Sequence, residues 1–139
     1  MILSSPMMPA DLAEALELWA QTEGVGLNES DVPDALTRFL ARNPEHSRVA
    51  RDGQRMVAAV LCGHDGRRGF LYHLAVAPEY RRHGLGKELV AQCLAALREA
   101  GIQKCNALVY CHNDGGRQFW EQMGFRVREE LDFWQRTIA

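Results

Sequence analysis

A short basic and glycine-rich stretch in the second half of the chain has the composition of an anion site. It lies where a strand pattern gives way to a helical one, and its residues are Arg81, Arg82, His83, Gly84, Leu85, Gly86 and Lys87. The first backbone N–H groups of a helix have no partner within the helix, and the helix dipole favours negative charge there. Glycine lets a phosphate approach the backbone closely, and arginine and lysine add positive charge. The stretch therefore predicts binding of a phosphate-bearing ligand.

Two common phosphate loops do not fit this stretch. A P-loop needs a first glycine where this chain has Arg81, and a serine or threonine after Lys87, where this chain has Glu88. A dinucleotide fingerprint needs a third glycine, and Leu89 holds that place. Nucleic acid is excluded as a partner because the net charge is −2 and no basic patch interleaved with aromatic residues is present.

The pattern that the stretch does match is R-x-x-G-x-G, from Arg81 to Gly86. It resembles the coenzyme A signature of the GNAT superfamily of N-acetyltransferases. Residues 74–80 and 113–125 are also similar to that family, as is the order of elements along the whole chain. The resemblance implies an N-acetyltransferase that uses acetyl-CoA and takes a small-molecule or protein amine as acceptor. The open alternative is a catalytically degenerate acyl-CoA-binding sensor or scaffold.

The same resemblance implies which residues hold the cofactor. Backbone amides of residues 81–87 would bind the pyrophosphate, and the main chain of Leu74, Ala75 and Val76 would bind the pantetheine arm as an added strand. Asn113 would contact the cofactor at the start of the last helix. Other roles stay open, because Leu74 and Val76 also suit a hydrophobic core and Asn113 suits a helix N-cap. His83 suits a solvated loop.

Proton transfer requires further residues. An alkyl amine has a pKa of about 10.4, so a base must deprotonate it before it attacks the thioester. His73 is the candidate base, with a hydrogen-bonded sheet histidine as the alternative, and a backbone N–H near Leu74 would polarise the thioester carbonyl. The family often returns the proton from a tyrosine in the last helix, but this chain has Trp120 there, which is not a useful acid. Tyr110 and Cys111 are the candidate substitutes.

Hydrophobic periodicity predicts seven strands and four helices. The strands cover 1–5, 48–51, 56–62, 70–76, 104–111 and a closing hairpin of 125–129 and 131–136; the helices cover 11–23, 31–43, 84–100 and 115–123. Tight turns make the early strands antiparallel, and the helix at 84–100 makes its flanking strands parallel. We expect an α/β (α+β) fold with a mixed, mostly antiparallel central sheet and helices on both faces. The resemblance implies that its one parallel strand pair is splayed.

Side-chain directions and helix starts are also predicted. Strict alternation in the strand at 70–76 places Tyr72, Leu74 and Val76 on one face and Leu71, His73 and Ala75 on the other. Asp31, with Asp34 three residues later, is predicted to form a capping box for the second helix.

Composition limits the remaining classes. With 47% hydrophobic and 24% charged residues, the chain suits one globular domain, 1–139. The four cysteines form no C-x-x-C pair, so no metal site or disulfide is predicted.

We expect a cytoplasmic location without membrane contact, because no signal-like or membrane-length apolar run is present. Residues 1–37 contain seven acids and no basic residue, and most of these acids suit the caps and solvated faces of two surface helices. With the resemblance, Glu23, Glu29 and Asp31 also suggest a cationic acceptor near them. A homodimer is left open.

Overall fold

A five-stranded sheet lies at the centre of the computed structural model, which describes residues 1–139. Its strands are β1 Ile2–Pro6, β2 Arg48–Asp52, β3 Arg55–His64, β4 Arg68–Val76 and β5 Lys104–Ala107. They lie side by side in this order, the first four antiparallel to one another and β5 parallel to β4. The mixed, mostly antiparallel sheet predicted from the sequence is confirmed.

Four helices cover the two faces of the sheet. They are α1 Leu12–Ala20, α2 Pro33–Arg42, α3 Leu85–Glu99 and α4 Asp114–Gln122, each within three residues of its predicted ends. One buried cluster packs α1 and α2 on one face, and a second packs α3 and α4 on the other. Residues 56–63 of β3 are all buried because both faces of this central strand are covered. No helix combines the length and apolar character needed to cross a membrane.

Strand β4 contains a β-bulge at His73. Ala59 of β3 pairs with Ala75, whereas Leu61 pairs with Tyr72, so two residues of β4 lie opposite one residue of β3. His73 has a φ of 59°, in the left-handed region that non-glycine residues rarely occupy. The extra residue changes which face each later side chain of the strand occupies.

The bulge makes the predicted alternation in β4 wrong. The side chains that pack on the α3 side are Leu71, Leu74 and Val76. Those that pack on the α1 side are Tyr72 and Ala75. One inserted residue reverses the side-chain parity of a strand, and regular alternation cannot anticipate it.

The parallel strands β4 and β5 separate after a short contact. Pairing covers residues 68–71 of β4 and 104–107 of β5. Strand β4 continues to Val76, whereas residues 108–112 form no strand, so β5 is shorter than the predicted 104–111. Beyond this contact, the edge of β4 on the β5 side has no strand beside it. We call the space between this edge and residues 108–112 the gap.

The closing hairpin predicted for residues 125–136 is wrong. Residues 125–139 contain no strand and pair with no strand of the sheet. Phe125 packs partly buried against the α3-side core, but the later large apolar side chains remain exposed, including Phe133 at 70% and Trp134 at 88%. An isolated two-stranded hairpin is marginal in water, so alternation alone does not form one without a sheet edge or a covering helix.

Candidate active site

The loop between β4 and α3 is tied to the sheet where it begins. Ala77 N–H donates to Val57 O at 2.8 Å, and a 3₁₀ turn follows over Pro78–Tyr80. Arg81 then folds back, and its Nε donates to Val76 O at 2.8 Å. The carbonyl that was predicted to meet the pantetheine arm therefore already accepts one hydrogen bond from the first residue of the basic stretch.

Two left-handed residues bring this loop to the start of α3. Arg82 has a φ of 68° and Gly84 a φ of 79°. The helix begins at Leu85, and Glu88 N–H donates to Gly84 O at 3.0 Å. The amides before Glu88 at the helix start have no partner within the helix and are free to bind an anion. The basic and imidazole side chains around them are exposed; they are Arg81, Arg82, His83 and Lys87.

The two glycines of the stretch have different surroundings. A Cβ at Gly84 would meet no atom within 4 Å, so this glycine is required for its left-handed backbone and leaves open space. A Cβ at Gly86 would lie 3.4 Å from Phe119 Cε1 and 3.6 Å from Val76 Cγ2. Both distances are ordinary van der Waals contacts, so the packing of α3 against α4 and β4 would accept a small side chain at Gly86.

The open edge of β4 adjoins this loop. Leu74 and Val76 direct their side chains into the α3-side core, and Ala75 is buried on the α1 side. The core roles left open for Leu74 and Val76 are therefore confirmed for their side chains. Because β5 has ended, the main chain of these three residues borders the gap on the side away from β3.

His73 is held by a carboxylate on the α1 side of the sheet. Its Nε2 lies 2.9 Å from Asp31 Oδ1, and the side chains of the two residues are only 14% and 8% exposed. Asp31 Oδ2 accepts from Asn28 N–H at 3.0 Å, so Asp31 forms its capping box with Asn28 and not with Asp34 as predicted. The ring of Trp19 lies 5.3 Å from the ring of His73.

The α1–α2 connection, residues 21–32, lies across the gap; we call it the roof loop. A Cβ at Gly24 would lie 2.8 Å from Asn113 Nδ2, and a Cβ at Gly26 would collide with Tyr110 Oη. Both partners belong to the segment between β5 and α4. The roof loop thus contacts one side of the gap through its glycines and the other side through the Asp31–His73 pair.

The segment after β5 presents several of the predicted residues. Asn113 Oδ1 accepts from Gly116 N–H at 3.0 Å, which confirms its predicted role as the N-cap of α4. Tyr110 is half-exposed and its ring stacks on His112 with centroids 5.6 Å apart. Cys111 is exposed. Of the two candidate proton donors, Tyr110 is the one that contacts the roof loop.

Comparison with known protein families identifies the family of this chain. The model of the acetyltransferase (GNAT) family matches residues 12–125, from the start of α1 to the end of the α4 turn. The chain belongs to the GNAT family of acetyltransferases. Family membership gives this acetyltransferase its reaction class, acetyl transfer, and its cofactor, acetyl-CoA.

Relatives and solved structures are consistent with the assignment. An acetyltransferase of Photorhabdus laumondii is 30% identical over 132 residues, which cover 93% of this chain and 91% of that protein. The structure of Ard1 from Thermoplasma volcanium has a TM-score of 0.79 at 20% identity and covers 91% of this chain and 83% of its own. The PaiA N-acetyltransferase of Thermoplasma acidophilum, solved with coenzyme A, has a TM-score of 0.76 at 19% identity. The match covers 95% of this chain and 93% of that protein.

Trp120 has a packing role in this acetyltransferase. Its ring meets Phe119 edge to face at 5.0 Å and 87°, and meets Phe125 at 5.0 Å and 71°. Such aromatic pairs stabilise a fold by about 0.5–1.5 kcal/mol beyond the area that they bury. The residue that replaces the expected tyrosine is therefore accounted for by the packing of α4.

Sequence reasoning missed the partners of the roof loop. Asp31 and His73 are 42 residues apart, and no local pattern links them. Trp19 was predicted only as a core residue of α1, although it also contacts His73. The one usable signal was the pair Gly24 and Gly26, because two glycines in a short loop indicate a close approach of backbone to another group.

Proposed function

We propose that this acetyltransferase moves an acetyl group from acetyl-CoA to a primary amine by direct attack within a ternary complex. The observation that carries the proposal is the His73–Asp31 pair beside the open edge of β4. It provides a hydrogen-bonded base close to the gap that the thioester would enter. The acceptor is a small-molecule or protein amine.

The donor site is proposed along one continuous path. Free amides at the start of α3, within residues 81–87, would bind the pyrophosphate. The main chain of Leu74, Ala75 and Val76 would take the pantetheine arm as a strand added to the open edge. The N–H near Leu74 would donate to the thioester oxygen as negative charge develops there. Asn113, whose Oδ1 caps α4, keeps its Nδ2 for a contact with the cofactor or the roof loop.

His73 would act as the general base. Its Nε2 faces a carboxylate oxygen, so in the neutral ring Nε2 carries the proton and Nδ1 keeps its lone pair. That lone pair would take a proton from the acceptor ammonium, directly or through one water. Asp31 would fix the ring orientation and stabilise the imidazolium that forms, as a carboxylate beside a catalytic histidine does.

Tyr110 is proposed to return a proton to the departing thiolate. Its hydroxyl lies at the roof loop on the border of the gap. A thiol has a pKa of about 8.5, so the thiolate is a tolerable leaving group near neutral pH and the step does not depend on a strong acid. Because no strong acid is needed, the step can proceed although position 120 holds tryptophan in place of a tyrosine.

A cationic acceptor is proposed from the charge of the roof loop. Glu23 and Glu29 are exposed on it, whereas Asp31 is engaged by His73. Negative charge at the mouth of a site raises the local concentration of cations. The cationic acceptor is therefore proposed to be attracted by Glu23 and Glu29, and not by Asp31.

The test is acetyl transfer from acetyl-CoA to a panel of cationic and neutral amines by the wild type and by His73→Gln. Loss of a general base should lower kcat about 10²–10⁴-fold while the Kd for coenzyme A stays unchanged. Asp31→Asn should cause a smaller fall, because the base remains but is less firmly oriented. His64→Gln, at the far end of β3, is the matched control and should keep full activity.

Three outcomes would overturn parts of the proposal. A wild-type kcat in His73→Gln would show that His73 is not the general base. A preference for neutral amines would remove the cationic acceptor. Tight coenzyme A binding by the wild type with no transfer to any amine would indicate an acyl-CoA-binding sensor or scaffold instead.

A further inference from the structure

We propose that Tyr80 is a positioning residue for the phosphate-binding loop: it touches no substrate, but anchors the loop to the β2–β3 hairpin so that the amides of residues 81–87 face the pyrophosphate. The inference rests on the proposed cofactor site. It adds an anchor outside the R-x-x-G-x-G pattern, formed by residues from a hairpin distant in sequence.

The main contact is a short hydrogen bond. Tyr80 Oη donates to Asp52 Oδ2 at 2.6 Å, and Asp52 closes β2 opposite Arg55 of β3. A hydroxyl bonded to a carboxylate is among the stronger hydrogen bonds in proteins. The contact lowers the pKa of Asp52 and raises the pKa of the Tyr80 phenol. Both directions mean that the bond favours an ionised Asp52 and a protonated Tyr80.

Arg55 provides a second contact between the β2–β3 hairpin and the 3₁₀ turn Pro78–Tyr80. Its guanidinium carbon lies 5.5 Å from the centroid of the Tyr80 ring, a cation–π distance. Its Nη2 lies 2.9 Å from Glu79 Oε2. This ion pair is exposed and weak by itself, so we assign the larger part of the anchor to the Tyr80–Asp52 bond.

The position of Tyr80 in the chain gives the anchor its effect on the loop. Tyr80 ends the 3₁₀ turn, and the next residue, Arg81, is the first of the basic stretch and is bonded to Val76 O. The left-handed residues Arg82 and Gly84 follow. A backbone path of this kind binds an anion tightly only if it is ordered before the ligand arrives, because ordering it on binding consumes affinity.

The fold does not depend on this contact. Strands β2 and β3 are paired with each other and with β1 and β4. The ring of Tyr80 also packs against the α3-side core, and phenylalanine would keep that packing. Removing only the hydroxyl should therefore loosen the loop while the sheet remains intact.

The test compares two acetyl donors, acetyl-CoA and acetyl-pantetheine, which lacks the pyrophosphate. Tyr80→Phe should raise the Kd for coenzyme A and the KM for acetyl-CoA roughly tenfold, about 1.4 kcal/mol. It should leave kcat and the rate with acetyl-pantetheine unchanged. Asp52→Asn, which keeps the side-chain shape, should give the same split. Arg55→Gln should raise the same Kd about threefold, about 0.6 kcal/mol.

Arg128→Gln is the matched control, because Arg128 also forms an exposed arginine–glutamate ion pair, with Glu130 at 3.0 Å in the segment after α4. An unchanged Kd for coenzyme A in both Tyr80→Phe and Asp52→Asn would overturn the inference. Equal losses with both donors would also overturn it, since they would indicate a general structural role. Failure of the proposed function is distinguishable, because the wild type would then bind no coenzyme A or acetylate no amine.

Discussion

The two loops that border the gap between β4 and β5 are fixed in different ways. The β4–α3 loop, which is the proposed phosphate site, is held by the strand that precedes it, the helix that follows it and the β2–β3 hairpin. The roof loop is held by single side chains from distant parts of the chain, His73 at one end and Tyr110 with Asn113 at its glycines. The first loop is therefore positioned largely by the elements next to it in the chain, whereas the roof loop depends on contacts made at long sequence separation.

The largest expected effect is on the first of these loops. Gly84→Val puts a branched side chain at a φ of 79°, which costs on the order of 1–2 kcal/mol of backbone strain, and directs it into the open space proposed for the phosphate. We expect the Kd for coenzyme A, measured by titration calorimetry, to rise at least about 100-fold, roughly 2.7 kcal/mol.

Gly66→Val separates strain from blocking. Gly66 lies in the β3–β4 turn with a φ of 92°, and a Cβ there also meets open space. This variant should show a similar loss of melting temperature with wild-type affinity for coenzyme A. Equal affinities in the two variants would mean that the loop at Gly84 does not meet the phosphate.

A smaller effect is expected at the roof loop. Gly26→Ala places a methyl group against Tyr110 Oη, so either the loop or the half-exposed Tyr110 ring must shift and their contact is lost. We expect kcat/KM for the amine to fall roughly tenfold, about 1.4 kcal/mol, while the Kd for coenzyme A stays unchanged. Steady-state kinetics with the amine varied at saturating acetyl-CoA give the number.

A double-mutant cycle tests the cause of that fall. In the Tyr110→Phe background the colliding oxygen is absent, so adding Gly26→Ala should cost much less than it does in the wild type. Gly115→Ala is the control, because a Cβ at Gly115 meets nothing within 4 Å. An equal cost of Gly26→Ala in both backgrounds would show that Tyr110 does not hold the loop.

The smallest effect is expected at Trp120, which belongs to neither loop. Trp120→Phe keeps an aromatic ring beside Phe119 and Phe125, so the free energy of unfolding should fall by only about 1 kcal/mol. Turnover should change less than about threefold, well below a general-acid contribution. Lost turnover with normal coenzyme A affinity and normal melting temperature would give the indole a catalytic role.

The difference between the loops also decides what the sequence could predict. The start of α3 and its buried face follow from contiguous residues, since the glycines, the helix start and the apolar stripe lie within one short segment. The parallel pair β4–β5 follows from the intervening helix. The Asp31–His73 contact joins residues 42 positions apart, and only the folded chain brings them together.

Two errors have the same origin in non-local structure. The bulge at His73 arises from how β4 pairs with β3, so alternation within β4 could not predict it. The closing hairpin was predicted from alternation within residues 125–136, but strand formation also needs a partner edge, and Phe133 and Trp134 remain exposed without one. Local pattern predicted these segments poorly because pairing and burial decide them.

The left-handed backbone at His73 means that low backbone strain and activity favour different residues at this position. A non-glycine residue at a φ of 59° costs on the order of 1–2 kcal/mol, and glycine would follow the same path without that cost. Under the proposed mechanism only an imidazole at this position serves the acceptor amine. Relief of backbone strain would favour glycine at position 73, although it would leave the Asp31 carboxylate without its imidazole partner, and selection for turnover would favour the strained histidine that the chain has.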